Sequence, residues 1–333
     1  MPAERATMLP LKYLFENFDL AKEVLKNYDY REKHLDEMLS HFRISSNAIY
    51  PFLTESRKVC FLRLSPTKEK APAEVESELR FICWLRDNGY PIMKPYPMKD
   101  GLLRGVIETK WGTYNVTCFE GVEGDTLEDA DGDVSMAYGY GKMLAELHNL
   151  SEVYPYADER RSCFDMLNEV KARFECSDAP GFLLTALDEV QKELSLLPTD
   201  KAVFGLIHYD FEPDNVLYDE ENDSFGVIDP DDAIRCWYAL DVVRAIDAMD
   251  DVVEDHVDEA VSAFLDGYRS KRTLTRAQMD TMPLMRKLVA LQEYATILHV
   301  LHEELPDEPD WMLDIRKKLG GRAAAIRTLF SGN

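Results

Sequence analysis

Apolar residues recur at helical spacing near the start of the chain, at Leu20, Val24, Leu25, Leu35, Met38, Leu39 and Phe42, which predicts a helix from about Leu20 to Phe42. The pattern then changes. Ile44 to Tyr50 and Lys58 to Leu64 read as two strands joined by a turn. Val59-Cys60-Phe61-Leu62-Arg63-Leu64 is apolar enough for a central strand, and Ser65-Pro66-Thr67 closes it. Ala73 to Asn88 follows as a helix stopped by Gly89. Its inward stripe is Val75, Leu79 and Ile82, and Glu78 falls on the same face. A carboxylate there is costly unless a cation meets it.

Gly105 to Glu108 and Thr113 to Phe119 are two further strands. Gly121 to Gly124 then breaks the pattern, a boundary between a small sheet-rich lobe (1–120) and a larger helical one (121–333). Met136, Tyr140, Met143, Leu144 and Leu147 share one face of a helix from Met136 to Leu150, and Cys163 to Leu196 adds more helices. Asn215 to Asp219 and Phe225 to Ile228 form a hairpin over the polar turn Glu220-Glu221-Asn222-Asp223. Beyond Tyr238 the chain reads as mostly helical, without internal repeats.

Composition narrows the classes. The chain has 333 residues, 46% of them hydrophobic, enough for one bilobal unit or two intimately packed domains that need no staples. The formal net charge of −24 argues against nucleic acid or an anionic membrane as a partner. It suits a cytoplasmic enzyme and weakly favours a cationic substrate, although a solvated acidic surface is the preferred explanation. The six cysteines include no CxxC pair and read as reduced core residues. Met1 to Arg5 leads into no apolar run, so no signal peptide is expected. No apolar stretch approaches the ~20 residues of a membrane span. Oligomeric state is not legible.

The candidate chemistry lies in Ile207-His208-Tyr209-Asp210-Phe211-Glu212-Pro213-Asp214-Asn215 and in Val227-Ile228-Asp229 after the hairpin. Asp210 is placed to take a proton from an acceptor hydroxyl. Asn215 and Asp229 offer oxygens to magnesium, a hard cation. His208 is expected to brace the loop rather than do chemistry. A loop whose polar residues merely cap and turn is the plain alternative. The full set of HxDxxxxN, hairpin and apolar-apolar-Asp favours phosphoryl transfer.

With these motifs the chain resembles the aminoglycoside phosphotransferase family, the kinase-like group that also holds choline kinases and homoserine kinase type II. The matching residues are His208-Tyr209-Asp210 with Asn215, Ile228-Asp229-Pro230-Asp231-Asp232-Ala233, Phe61-Leu62-Arg63-Leu64, Glu78 with Gly89-Tyr90-Pro91, Glu120 to Gly124, and Leu144-Ala145-Glu146-Leu147-His148. The resemblance implies an α+β, protein-kinase-like two-lobed fold, with a small antiparallel-sheet N-lobe, a larger mainly helical C-lobe, and ATP and Mg2+ between them. Arg63 would contact the phosphates and Glu78 would pair with it. Phe119 to Val122 would be the hinge, its backbone hydrogen-bonding adenine, with Phe119, Glu120 and Val122 as the nucleotide-binding candidates. Asp241 would anchor the catalytic loop from below.

No GxGxxG covers the phosphates; Ser45-Ser46-Asn47-Ala48 stands there, so Ser46 and Asn47 are the phosphate-loop candidates. GTP remains open beside ATP. Asp231 and Asp232 read as turn or helix-start caps, with a second metal ligand or a contact to a cationic substrate as the alternatives. The acidic stretches Glu123 to Asp133 and Asp250 to Glu259 read as solvated faces before a polycation-binding rim. The expected activity is phosphorylation of a small-molecule hydroxyl, with a homoserine-like or other amino-alcohol metabolite favoured. An aminoglycoside kinase, a protein Ser/Thr kinase of the same superfamily and a non-catalytic nucleotide-binding module are the alternatives.

Overall fold

The computed structural model describes residues 18–44, 47–109, 112–130, 132–253, 256–301 and 310–331. The chain opens on two short helices, α1 (Asp19–Leu25) and α2 (Leu35–Leu39), not on one helix from Leu20 to Phe42. The apolar spacing is real, since Leu20, Val24, Leu25, Leu35 and Leu39 are all buried. The residues between them turn the chain. Asn27 Nδ2 closes on the Val24 carbonyl at 3.1 Å, and His34 takes a left-handed φ of 67° just before α2. Buried Tyr28 stacks on Tyr96, with ring centroids 6.2 Å apart.

Next come β1 (Arg43–Ile44), β2 (Ala48–Leu53), β3 (Val59–Pro66), α3 (Pro72–Asp87), β4 (Lys94–Pro95), β5 (Arg104–Thr109) and β6 (Gly112–Glu120). The strand expected from Ile44 to Tyr50 is therefore divided: β1 pairs antiparallel with β2, and the chain reverses between them. The antiparallel sheet runs β1-β2-β3-β6-β4, with β5 also paired to β6. Along β3, alternation splits two jobs. Cys60, Leu62 and Leu64 are buried with α1 and α2 in the outer core of this lobe. Phe61 and Arg63 lie on the opposite face, where Phe61 is exposed and Arg63 is buried against Glu78 of α3. Pro72 opens α3, Glu74 accepts the Ala71 N–H at 2.7 Å, and Gly89, at φ 80°, lets the chain leave the helix end.

The second half contains β7 (Asp125–Thr126), α4 (Val134–Val153), α5 (Cys163–Glu175), α6 (Gly181–Leu194), β8 (Phe204–Ile207), β9 (Val216–Asp219), β10 (Ser224–Val227), β11 (Ile234–Trp237), α7 (Tyr238–Asp247), α8 (Val257–Arg269), α9 (Arg276–Met279), α10 (Met282–Leu301) and α11 (Asp310–Ser331). The expected hairpin is β9 with β10, and β7 adds a third strand. β8 pairs antiparallel with β11. The architecture is thus the expected α+β kinase-like one. No helix among the described residues is long and apolar enough to cross a membrane.

One packing detail positions the site. Gly141 of α4 lies against the Phe264 carbonyl of α8, and Gly267 of α8 lies against the Tyr138 carbonyl of α4; a Cβ at either would collide. That close crossing brings His148 of α4 to the Tyr268 hydroxyl of α8, with Nδ1 at 2.8 Å.

Candidate active site

The loop between β8 and β9 carries the HxD motif, and buried groups hold it from beneath. Asp241, in the first turn of α7, is fully buried and accepts the His208 N–H at Oδ2 (2.9 Å) and the Tyr209 N–H at Oδ1 (2.8 Å). His148 Nε2 lies 3.1 Å from the same Oδ2. Burial holds His148 below its usual range against the pull of Asp241, so the ring is neutral and donates from Nε2. The loop needs this support because Tyr209 sits at φ 73°, a left-handed conformation unfavourable for a bulky residue. His208 Nε2 is 3.0 Å from the Ile228 carbonyl and ties the loop to the segment entering Asp229. Asp241 and His208 therefore sit where the sequence put them, as braces.

On this support Asp210, Asn215, Asp229, Arg63 and Glu78 converge. Asn215 Nδ2 donates to the Asp210 carbonyl and to Asp210 Oδ2, both at 3.0 Å. This orientation leaves the Asn215 Oδ1 oxygen for a hard cation. Asp229 is also left-handed, at φ 56°, and its side chain is 37% exposed. The protein packed behind it, with the Asp231 charge next to it, pushes its carboxyl up to about 8. A divalent cation in the cleft favours the ionised form instead. Among the described residues no three His, Cys, Asp or Glu side chains cluster as a metal cage. One carboxylate and one amide oxygen, completed by phosphate oxygens and water, is the donor set magnesium accepts.

The Arg63–Glu78 pair is buried to 2% and 0% exposure. Arg63 Nη2 reaches both Glu78 oxygens at 2.8 Å, Nε donates to Thr117 Oγ1 at 3.1 Å, and Nη1 lies 3.4 Å from Asp229 Oδ1. Its guanidinium also stands 5.0 Å from the Phe119 ring centroid. The carboxylate on the apolar stripe of α3 thus meets its cation.

The hinge residues contribute differently. Phe119 is buried. Glu120 turns its side chain to Lys94 (2.6 Å) and Lys58 (3.3 Å), and these cations hold its carboxyl below the usual range despite partial burial. Val122 packs against Gly226, where a Cβ would strike it. The side chains of Glu120 and Val122 are therefore committed elsewhere. Ser46 lies outside the described residues. Asn47 is buried, and its Nδ2 donates to Asp231 Oδ2 at 2.9 Å.

Asp231 is more than the cap read from sequence. It sits in the Pro230–Asp232 turn and also ion-pairs with Lys70 Nζ at 2.7 Å. Burial alone would raise its carboxyl, but Lys70 and Arg63 hold it well below the usual range. Asp232 is raised instead, first by the Asp231 charge beside it. Buried Arg160 donates to the Asp231, Ala233 and Glu74 carbonyls and joins the start of α3 to this turn. Lys70 and Arg160 escaped the sequence reading because each sits among other charges without a period. Phe61 carried a signal: two before Arg63, it shares that face and is 37% exposed. Arg244 carried one too, at i+3 from Asp241 on a helix face.

A two-lobed α+β fold whose cleft holds a buried Arg–Glu pair, an Asp–Asn loop and a second aspartate defines a kinase-type phosphotransferase. The comparisons agree. Residues 44–280 match the phosphotransferase enzyme family, and the chain belongs to it. An uncharacterized protein of Deinococcus radiodurans is 29% identical over 226 residues, and the chain spans 64% of that relative's length, with the same share of its own. Homoserine kinase of Caulobacter vibrioides is 25% identical over 251 residues, covering 74% of this chain and 77% of that one. Among solved structures, the amicoumacin kinase hAmiN in complex with AMP-PNP, Ca2+ and Ami superposes with a TM-score of 0.78 over 96% of this chain and 95% of its own, at 19% identity.

Proposed function

We propose that this protein uses MgATP to phosphorylate a hydroxyl of a small amino alcohol, homoserine being the favoured acceptor. The observation that carries the reading is Asp210 bonded to Asn215 on the catalytic loop together with Asp229 against the buried Arg63–Glu78 pair. Residues 1–120 form the nucleotide lobe and residues 121–333 the catalytic and acceptor lobe. Phe61 stacks on the purine, and the backbone of Phe119 to Val122 meets its edge. Asn215 and Asp229 would hold a magnesium ion, which would offset phosphate charge when bound.

The acceptor oxygen bonds to the γ-phosphorus while its proton passes to Asp210. The bond from the γ-phosphorus to the bridging oxygen breaks, and ADP leaves with that electron pair. Arg63 meets phosphate charge, and Glu78 keeps it aimed into the cleft. Closure of the lobes excludes water as a competing acceptor.

Glu212 and Asp214 lie within the same loop; burial raises both carboxyls, against the pull of Arg244 on Glu212 and with the Asp210 charge on Asp214. This acidic acceptor side suits an ammonium group, which homoserine carries. A polycationic aminoglycoside satisfies the same feature and is the second reading. Thermal-shift measurements with MgATP or MgGTP, crossed with homoserine, choline, ethanolamine and aminoglycosides, separate these. A nucleotide shift with a further shift for homoserine supports the first reading. A further shift confined to aminoglycosides replaces it, and no shift with any nucleotide removes both.

A further inference from the structure

α7 brings two charges to the catalytic loop. Asp241 takes the loop's backbone N–H groups, and Arg244, three residues on and one turn along the same face, reaches its side chains. Arg244 Nη2 lies 2.6 Å from Asp210 Oδ1 and 2.6 Å from Glu212 Oε1. The guanidinium is 5.1 Å from the Tyr209 ring centroid, the same Tyr209 whose left-handed backbone Asp241 fixes. The Arg244 side chain is only 16% exposed. Its buried Nε has no hydrogen-bond partner, so the group stands there for the carboxylates that Nη2 meets.

The loop needs a cation. Asp210, Glu212 and Asp214 fall within five positions, and a nucleotide adds more negative charge. The loop itself supplies only acids and neutral residues from Tyr209 to Asn215. Each Asp210 oxygen has its own holder: Arg244 on Oδ1 and Asn215 on Oδ2. With one oxygen fixed from each side, the carboxylate cannot swing toward solvent or toward Glu212.

We propose that Arg244 is a positioning residue for phosphoryl transfer: it holds Asp210 in its proton-accepting orientation and offsets the charge of Glu212 beside it. This inference rests on the reading of Asp210 as the base.

The test assays wild type, Asp210→Asn, Arg244→Gln and Arg244→Lys with MgATP and homoserine, and measures kcat, the KM for MgATP and Tm. Arg244→Gln is expected to lose about 10- to 100-fold in kcat, a share of what general-base catalysis contributes, with the KM for MgATP held within about twofold and Tm near wild type. Arg244→Lys recovers part of the loss, because a point cation reaches Asp210 without the fork. Wild-type kcat in Arg244→Gln overturns the proposal. So does an equal loss in Gln and Lys variants with KM rising and Tm falling together, the mark of a purely structural role. Should Arg244→Gln not fold, Arg244→Lys is read alone: reduced kcat at unchanged KM sustains the proposal, and wild-type kcat overturns it. A wild-type enzyme inert toward homoserine counts against the acceptor reading alone. The variants are then read on basal MgATP hydrolysis, where Arg244→Gln falling with Asp210→Asn sustains the proposal and wild-type hydrolysis overturns it.

Discussion

Arg63 and Glu78 form a closed pair in which one guanidinium nitrogen meets both carboxylate oxygens at 2.8 Å with neither side chain open to water. Two charges taken this far from solvent are held chiefly by each other, with the hydrogen bond from Arg63 Nε to Thr117 and the longer contact from Nη1 to Asp229 beside them. Removing one leaves the other buried and unpaired. Glu78→Ala is therefore expected to cost about 3–5 kcal/mol of stability and to raise the KM for MgATP by releasing Arg63 from its aim. Urea denaturation and nucleotide titration check both. A variant as stable as wild type contradicts the pairing.

The support beneath the catalytic loop gives a second expectation. Asp241→Ala leaves the His208 and Tyr209 N–H groups without acceptors and His148 without its partner. Each buried donor left unpaired costs about 1–3 kcal/mol. Tyr209 then has no reason to stay at φ 73°. Amide exchange at His208 and Tyr209 should accelerate, and kcat should fall more than nucleotide affinity does. Slow exchange at both amides in the variant removes Asp241 as the anchor.

Asp229 provides a pH signature. Its carboxyl is raised to about 8 in the metal-free protein by burial and by Asp231. A raised acid binds its proton more tightly folded than unfolded, so its contribution favours the folded state at low pH and is lost as pH climbs toward about 8. Asp229→Asn should flatten that decline and raise the metal-free Tm at pH 8. Magnesium must displace the proton, so Mg2+ binding with AMP-PNP should weaken as pH falls below about 8. Identical pH dependence in wild type and Asp229→Asn contradicts this.

Much of the site was legible because catalysis imposes spacing. Asp210, Asn215 and Asp229 stand out in a single sequence, and Glu78 announced its partner by sitting on an apolar stripe. What stayed hidden depends on tertiary approach. Lys70 and Arg160 reach the Asp231 turn from distant segments and look like surface charges along the chain. β7, β8 and β11 have two to four residues each, too few for a period. The N-terminal helix was overdrawn because Leu25 and Leu35 are both buried, while Asn27 and His34, which break the helix between them, do not disturb the apolar spacing.

The reading of this chain as a phosphotransferase turns on Asp210, and one comparison tests it most directly: transfer from MgATP to homoserine and the other candidate acceptors by wild type and Asp210→Asn, with MgATP affinity measured on both. Loss of about 10²- to 10⁴-fold in turnover at nearly unchanged nucleotide affinity is the predicted result. Turnover by Asp210→Asn at the wild-type rate would contradict the account.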